Sequence, residues 1–266
     1  MLEVREIYKT FNAGTINEKR AMNGVTLTLN EGDFATVIGG NGAGKSTLLN
    51  LVAGVYPVDS GSIAIGGQNV TRLPEHKRAR FIGRVFQDPM MGTAATMQIE
   101  ENLALAARRG QSRSLRPGIT RAEREQYREL LKILDLGLED RLTSKVGLLS
   151  GGQRQALTLL MATLKKPRLL LLDEHTAALD PATAEKVLRL TREIVEGERI
   201  TCLMITHNMK NALELGNRTF MMDAGRVVLD ISGEERKGLT VDDLLERFRA
   251  GAGKNLDNDR ILLSND

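Results

Sequence analysis

The sequence predicts an α/β fold with a largely parallel core sheet, an N-terminal antiparallel β layer and an inserted α-helical subdomain. Apolar and polar residues alternate in "VTLTLN" and "SIAI", which indicates half-buried antiparallel strands, whereas "FATVIG" is apolar almost throughout, like a strand covered on both faces. Farther along, the apolar runs "LLLLD" and "ITCLMIT" flank a long helical segment. A strand–helix–strand unit of this length connects two parallel strands of one sheet, so the core sheet is expected to be largely parallel.

The sequence predicts short strands in the first third of the chain and helices in the middle. The strand segments are "LEVREIYKTF", "GVTLTLNEGD", "FATVIGG" and "SGSIAIGGQNVT", and the helical segments are "IEENLALAARR", "TRAEREQYRELLKILDL" and "GQRQALTLLMATL". Within the second helical segment Tyr127, Leu130, Leu131 and Leu134 have helical spacing and define one buried face. Arginines are frequent between the first two helical segments. A solvated surface is the favoured interpretation, and contact with lipid headgroups or an acidic partner is the alternative.

The last hundred residues contain signals for helix ends, a hairpin and a free end. Asp180 suits a helix N-cap, Pro181 the first helical position and Gly197 the helix exit. Ala224 and Gly225 suit the turn of a closing hairpin. The final residues, "GAGKNLDNDRILLSND", lack periodicity and are expected to be mobile. We therefore predict one domain over residues 1–235, with a helical subdomain inserted at about 88–165, and a short C-terminal extension over 236–266.

Composition argues against several classes of protein. Lysine and arginine exceed aspartate and glutamate by only three among 266 residues, which is too small a surplus to argue for nucleic-acid binding, and with aromatic residues at 3% a stacking platform for bases is poorly supplied. A single cysteine, Cys202, lies in an apolar run, which favours a reducing compartment. No segment has the features of a secretory signal or approaches the ~18 apolar residues of a membrane span.

A glycine-rich segment predicts a site for a nucleoside triphosphate. "GGNGAGKST" matches the pattern G-x-x-x-x-G-K-[ST] and lies between a buried strand and a helix. Backbone N–H groups of such a loop surround phosphate oxygens, Lys45 reaches the outer phosphates, and Ser46 binds Mg²⁺. The alternative, a glycine-rich turn with an incidental lysine, fits the flanking strand and helix less well. The candidate nucleotide-binding residues of this loop are Gly39, Gly40, Asn41, Gly42, Ala43, Gly44, Lys45, Ser46 and Thr47. By itself the loop predicts only that a nucleoside triphosphate binds, as in the core of a P-loop nucleoside triphosphatase.

Two acids, Asp173 and Glu174, end the apolar run "LLLLDE", at the sheet edge where open α/β folds bind ligands. Asp173 is a candidate Mg²⁺ ligand, and Glu174 is a candidate base for an attacking water. His207 ends the next apolar strand and is expected to reach the terminal phosphate at the same edge. Gln87, in "RVFQDP", lies where the helical insertion begins and suits a hinge that touches Mg²⁺ or the attacking water. The alternatives are a solubilising pair of acids and a structural histidine.

A second glycine pair begins a helix without any lysine beside it. In "LSGGQRQ", Ser150, Gly151, Gly152 and Gln153 precede the helical text "ALTLLMATL". Such a helix end has a hydroxyl and free N–H groups, which makes it either an ordinary N-cap or an anion site. Because the first loop already holds one face of the triphosphate, the second site is expected to cover the γ-phosphate bound by another copy. This predicts a head-to-tail dimer with two enclosed nucleotides.

Together these motifs closely resemble the nucleotide-binding domain of the ATP-binding cassette (ABC) family, over about residues 2–230. "GGNGAGKST" resembles Walker A, Gln87 the Q-loop, "LSGGQ" the family signature, "LLLLDE" Walker B, "ALD" with Asp180 the D-loop, and His207 the switch histidine. By the same resemblance Phe11 stacks on adenine. The chain departs from the common pattern in "EHTAALD", where His175 and Ala177 stand in place of the usual proline and serine.

The resemblance implies an ATPase that uses ATP and Mg²⁺ to drive solute transport, with import expected. It also implies separate permease subunits, a second copy of the chain, a substrate-binding protein that acts through the permease, and a peripheral position on the cytoplasmic face of the inner membrane. The "EHTAALD" variant resembles subunits of bacterial importers for amino-acid-like solutes. Alternatives are a non-transport ABC ATPase acting on ribosomes or DNA, and a P-loop metabolic kinase, against which the signature argues.

Overall fold

Ten strands form two sheets in the computed structural model, which describes residues 1–111 and 118–252. The strands are β1 (Leu2–Phe11), β2 (Lys19–Leu29), β3 (Phe34–Ile38), β4 (Ser60–Ile65), β5 (Gln68–Asn69), β6 (Ile82–Val85), β7 (Leu169–Asp173), β8 (Cys202–Ile205), β9 (Arg218–Asp223) and β10 (Arg226–Ser232). One sheet has the order β2-β1-β4-β5, and the other has the order β10-β9-β3-β8-β7-β6.

The four-stranded sheet is antiparallel throughout, as expected for the N-terminal layer. Apolar residues on one face of β1, namely Leu2, Val4 and Ile7, are fully buried, and the residues between them are more exposed. This face packs into one hydrophobic core with the strands and the first helix of the larger sheet. The alternating pattern of the sequence therefore becomes a one-sided sheet.

In the six-stranded sheet every neighbouring pair is parallel except β9 and β10. The strands β3 and β8 are buried along their whole length, because hydrophobic cores cover both faces of this sheet. The predicted α/β fold, with a largely parallel core sheet beside an antiparallel layer, is confirmed. The carboxyl ends of β3, β7 and β8 consequently lie along one edge.

Eight α-helices surround the sheets in the described residues. They are α1 (Lys45–Ala53), α2 (Glu75–Arg78), α3 (Ile99–Ala107), α4 (Arg121–Lys132), α5 (Gly151–Thr163), α6 (Pro181–Gly197), α7 (Met209–Glu214) and α8 (Val241–Ala252). Across the part of the chain that the structure covers, no helix combines the length and apolar character that a membrane span requires. Helices α3, α4 and α5 form the inserted helical part. Helices α4 and α5 begin with a reciprocal side-chain cap, and at α3 the Glu101 side chain accepts from the N–H of Gln98 at 2.7 Å.

The predicted apolar face of α4 is present. Tyr127, Leu131 and Leu134 are buried and Leu130 is half-buried against the cluster that also contains α5. Beside it, the arginine-rich stretch is partly neutralised within the chain, since Arg108 pairs with Glu123 at 2.8 Å. This internal ion pair of Arg108 favours the predicted solvated surface. Residues 112–117 of this stretch lie outside the described residues.

The predicted turn at Ala224 and Gly225 is confirmed, with φ angles of 45° and 74° between β9 and β10. The predicted helix exit at Gly197 is confirmed. Helix α6 does end at Gly197, but the residue in the left-handed region is Arg199, with φ 48°. The N–H of Ile200 bonds to the carbonyl of Val195 around it, so arginine occupies the position that glycine usually takes.

The chain beyond Asp230 packs onto the domain. Strand β10 continues to Ser232, and α8 buries Leu244, Leu245 and Phe248 against a cluster that includes Ile38 and Met221. Ile38 is the last residue of β3 and directly precedes the glycine-rich loop, so α8 packs next to the start of that loop. The expected mobile end begins within α8 and continues over residues 253–266, and the latter lie outside the described residues.

Candidate functional site

The glycine-rich loop closes around the Lys45 ammonium group. Lys45 Nζ donates hydrogen bonds to the carbonyl oxygens of Gly39, at 2.8 Å, and Gly40, at 3.3 Å. The lysine is 8% exposed. Burial lowers the pKa of Lys45, and the negative charges of Glu174 and Asp173 oppose that shift. The loop is therefore coiled with its cation already placed at the start of α1.

Two glycines of this loop have backbone reasons for being glycine. Gly39 has φ 151° and Gly44 has φ 102°, both in the region that disfavours side chains. A Cβ at Gly39 would collide with the carbonyl oxygen of Met222, and one at Gly44 would collide with the side chain of Met22. Between them, Asn41 and Gly42 are exposed and Ala43 is buried. No side chain of the described residues caps α1, which leaves its first N–H groups available to an anion.

Asp173, at the end of β7, lies opposite Ser46 on α1. Thr47 is the next residue of α1 after Ser46. The Ser46 hydroxyl is 3.5 Å from Oδ1 of Asp173, and Nη2 of Arg84 is 3.9 Å from Oδ2. Burial raises the pKa of Asp173, and the charge of Arg84 opposes that rise. A desolvated carboxylate beside a hydroxyl suits Mg²⁺, which prefers a few oxygen ligands together with waters and phosphate. In the described residues no cluster of three or more histidine, cysteine, aspartate or glutamate side chains that could hold a metal ion occurs.

Glu174 and His207 face each other at the same edge. His207 Nδ1 is 3.7 Å from Oε2 of Glu174, a separation suited to ion pairing. The interaction with His207 lowers the pKa of Glu174, and the interaction with Glu174 raises the pKa of His207. Glu174 has a left-handed backbone, with φ 42°, and its N–H donates to the carbonyl oxygen of Ile205 at 3.1 Å. The structure thus brings Lys45, Asp173, Glu174 and His207 to one edge, as predicted.

Gln87 lies two residues beyond the end of β6, and its side chain is exposed. Among the described residues no hydrogen bond joins it to Ser46 or Asp173. The polar contact from this strand comes instead from Arg84, which also donates to Oδ1 of Asn50 on α1 at 2.6 Å. Sequence reasoning missed Arg84, although a charged residue inside an apolar strand was the available signal.

Ser150 caps α5 within its own chain. Its hydroxyl accepts from the N–H of Gln153, and the Gln153 side chain accepts from the N–H of Ser150, both at 3.2 Å. Ser150 and Gly151 are exposed, whereas Gly152 is buried against Thr183 at the start of α6. No hydrogen bond or ion pair of the described chain connects these residues to Lys45 or Glu174. Within one copy, the start of α5 is therefore not joined to Lys45 or Glu174 by a polar contact.

Asp180 caps α6, since its carboxylate accepts from the N–H of Thr183 at 3.1 Å. Hydrogen bonding to Thr183 lowers the pKa of this exposed group. Phe11, at the end of β1, meets Tyr56 edge to face, with ring centroids 5.2 Å apart, and Nζ of Lys9 lies 5.6 Å from the Phe11 ring. Tyr56 was not identified from the sequence, because it lies in a loop far along the chain from Phe11.

His175 and Ala177, the departures in "EHTAALD", differ in environment. Ala177 is exposed, whereas His175 is 2% exposed and its Nε2 is 3.0 Å from the Thr191 hydroxyl on α6. Burial lowers the pKa of His175 to about 4, so the ring is neutral near pH 7. The buried histidine therefore connects the loop that follows Glu174 to helix α6.

Comparison with known proteins agrees with these observations. The family model described as "ABC transporter" matches residues 22–177. A protein of Clostridioides difficile named as a tyrosine transport ATP-binding protein is 42% identical over 248 residues, which are 93% of this chain and 98% of that one. A methionine import ATP-binding protein of Rhizobium etli is 38% identical over 78% of this chain, which spans 56% of that longer protein.

Solved structures show the same architecture. The ATP-binding cassette MJ0796, described as a dimer in a post-hydrolysis state bound to ADP and phosphate, has a TM-score of 0.74 and 28% identity. That similarity covers 87% of this chain and 98% of the cassette.

Proposed function

The chain belongs to the ABC transporter family, whose cassettes bind and hydrolyse ATP, and we propose that it powers solute import through separate permease subunits. The observation that carries the proposal is the meeting of Lys45, Asp173, Glu174 and His207 at one sheet edge, while Ser150 begins a helix elsewhere in the same chain. One half of an ATP site and the complement of another are present on each copy.

Each residue at the sheet edge has a role that follows from its chemistry. Lys45 and the loop N–H groups bind the phosphates, and Phe11 provides a face for the adenine ring. Ser46 and Asp173, together with Gln87, would hold Mg²⁺, which would neutralise charge on the phosphate oxygens. Glu174 orients and deprotonates the attacking water, and His207 holds the carboxylate and contacts the terminal phosphate.

A second copy completes this site in a head-to-tail arrangement. Ser150, Gly151, Gly152 and Gln153 of one copy meet the γ-phosphate that Lys45 of the other copy binds, and Asp180 lies near this junction. The proposal is supported by the exposed start of α5, which presents N–H groups to an anion. Closure encloses the water beside Glu174, and hydrolysis allows the dimer to open.

The transported solute is proposed to be amino-acid-like, as the names of the tyrosine and methionine relatives suggest. The permease is proposed to contact the segment after Gln87, where the apolar side chains of Met90 and Met91 are exposed. A substrate-binding protein would act through that permease. The chain would then sit peripherally on the cytoplasmic face of the inner membrane.

The test is the oligomeric state of Glu174→Gln, measured by size-exclusion chromatography with light scattering. We expect a monomer without ATP and a dimer with ATP, because the variant binds ATP but hydrolyses it at least about 100-fold more slowly. Adding Ser150→Arg should abolish the dimer. The matched control is Thr120→Arg, since Thr120 also caps a helix of the helical subdomain through a capping box with Glu123.

Two results would contradict the proposal. A dimer that survives Ser150→Arg would mean that the start of α5 does not complete the partner's site. A monomer with ATP, even after the permease is co-expressed and co-purified, would mean that the chain does not work as a nucleotide-enclosed dimer.

A further inference from the structure

A buried hydrogen bond connects the loop after Glu174 to helix α6. His175 Nε2 is 3.0 Å from the Thr191 hydroxyl, and the two residues are 2% and 0% exposed. The same hydroxyl lies 2.8 Å from the carbonyl oxygen of Val187, one turn earlier in α6. A hydroxyl has one proton and a carbonyl oxygen only accepts, so Thr191 donates to Val187 and accepts from the N–H of His175. This assigns the proton to Nε2 of His175.

The backbone at Glu174 needs such support. Its left-handed φ of 42° is costly for a residue with a side chain, on the order of 1 kcal/mol or more, and persists only where the surroundings impose it. On one side the Glu174 N–H bonds to Ile205 in β8, at 3.1 Å. On the other side the Glu174 carbonyl accepts from the N–H of Ala177, at 3.0 Å, in a tight turn. His175 adds the side-chain anchor within that turn.

We propose that His175 and Thr191 are positioning residues for ATP hydrolysis. Their hydrogen bond holds the turn against α6, so that the Glu174 carboxylate stays beside His207, at the sheet edge where Lys45 and Asp173 also lie. The inference rests on the proposed role of Glu174 as the base. Without the anchor the backbone at Glu174 relaxes toward its ordinary conformations, and the carboxylate moves away from the attacking water.

The alternative is that the bond only stabilises the fold. In that case its loss would lower the melting temperature without a specific effect on the rate of hydrolysis by folded protein. Measuring kcat, KM for ATP and thermal stability on the same variants separates the two.

Thr191→Val removes the hydroxyl while preserving the shape of the side chain. Thr158→Val is the matched control, because Thr158 is also buried in a helix, at 3% exposure, and its hydroxyl also donates one turn back, to Arg154 at 2.6 Å. We expect Thr191→Val to lower kcat about tenfold with an unchanged KM for ATP, and Thr158→Val to leave kcat within about twofold of wild type. Thr191→Ser keeps the hydroxyl and should retain most of the wild-type kcat.

A second pair tests the same bond from the histidine. His175→Gln keeps an N–H donor, whereas His175→Leu has none, so the glutamine variant is expected to retain several-fold more activity. If Thr191→Val fails to fold, this pair decides the question. Equal kcat values for Thr191→Val and Thr158→Val, or for the two His175 variants, would overturn the proposal, as would a change confined to KM.

Glu174→Gln is assayed beside these variants. If it hydrolyses ATP at the wild-type rate, the proposed role of Glu174 fails and the positioning role fails with it. If Glu174→Gln is inactive and Thr191→Val is fully active, only the positioning role is wrong.

Discussion

The backbone N–H of Gly225 donates a hydrogen bond to the carbonyl oxygen of Ala43, at 3.0 Å. The turn between β9 and β10 therefore rests on the glycine-rich loop. The carbonyl of Gly225 in turn accepts from the N–H of Asn23 in β2, at 2.8 Å. The loop is thus supported by both sheets, which restricts the conformations open to a glycine-rich segment.

Replacing Gly225 should loosen this support. A Cβ there would lie 2.6 Å from the carbonyl oxygen of Ala21, so Gly225→Ala must displace the turn and the loop beneath it. We expect ATP affinity to fall about tenfold, measured by titration with a fluorescent ATP analogue. Gly67→Ala is the control, because Gly67 also lies in a hairpin turn, with φ 76°, and has open space around it. Equal affinities for the two variants would contradict the prediction.

His207 should affect the rate rather than binding. His207 Nδ1 lies 3.7 Å from Oε2 of Glu174, the proposed base. His207→Asn is therefore expected to lower kcat about 100-fold with little change in KM for ATP. His76→Asn provides the comparison, since His76 is an exposed histidine on α2. Steady-state ATPase assays of both variants check this. A wild-type kcat for His207→Asn would remove His207 from the proposed mechanism.

Phe11 should affect binding rather than the rate. Loss of an aromatic ring that stacks on a base costs about 1–3 kcal/mol, so Phe11→Ala is expected to raise KM for ATP about tenfold at an unchanged kcat. Tyr8→Ala is matched to it, because Tyr8 is an exposed aromatic residue, at 41%, on the same strand. Phe11→Trp should keep the low KM. The adenine-binding role would be wrong if Phe11→Ala behaved like Tyr8→Ala.

His175 should make folding sensitive to mild acid. Burial lowers its pKa to about 4 from an ordinary 6.5. Between these values the unfolded chain binds a proton that the folded chain does not, so the free energy of unfolding falls as the pH falls through this window. From about pH 7 to pH 5.5 we expect wild type to lose about 1 kcal/mol more than His175→Gln. Urea denaturation without nucleotide measures this, and equal losses would disprove it.

Local patterns predicted much of the fold. Alternation in β1 and β2, the apolar runs of β3 and β8, and the cap at Asp180 each depend on neighbouring residues, whose spacing decides burial and hydrogen bonding directly. The helix exit at Gly197 was also predicted, but the sequence did not indicate that Arg199 would take the left-handed position after it, where Ile200 is buried and its N–H bonds to Val195. Local preference for glycine was overridden there by tertiary contacts.

The amino-acid sequence by itself determined the fold class, the order of the motifs and the sheet edge to which Lys45, Asp173 and His207 belong. Contiguous residues encode these features, because a strand's carboxyl end carries its next residues to a known edge. Only the tertiary structure decided that Arg84 faces Asp173, that Gly225 supports Ala43 and that His175 bonds to Thr191. Those contacts join residues far apart along the chain or on separate elements, and side-chain packing in three dimensions, rather than spacing, selects them.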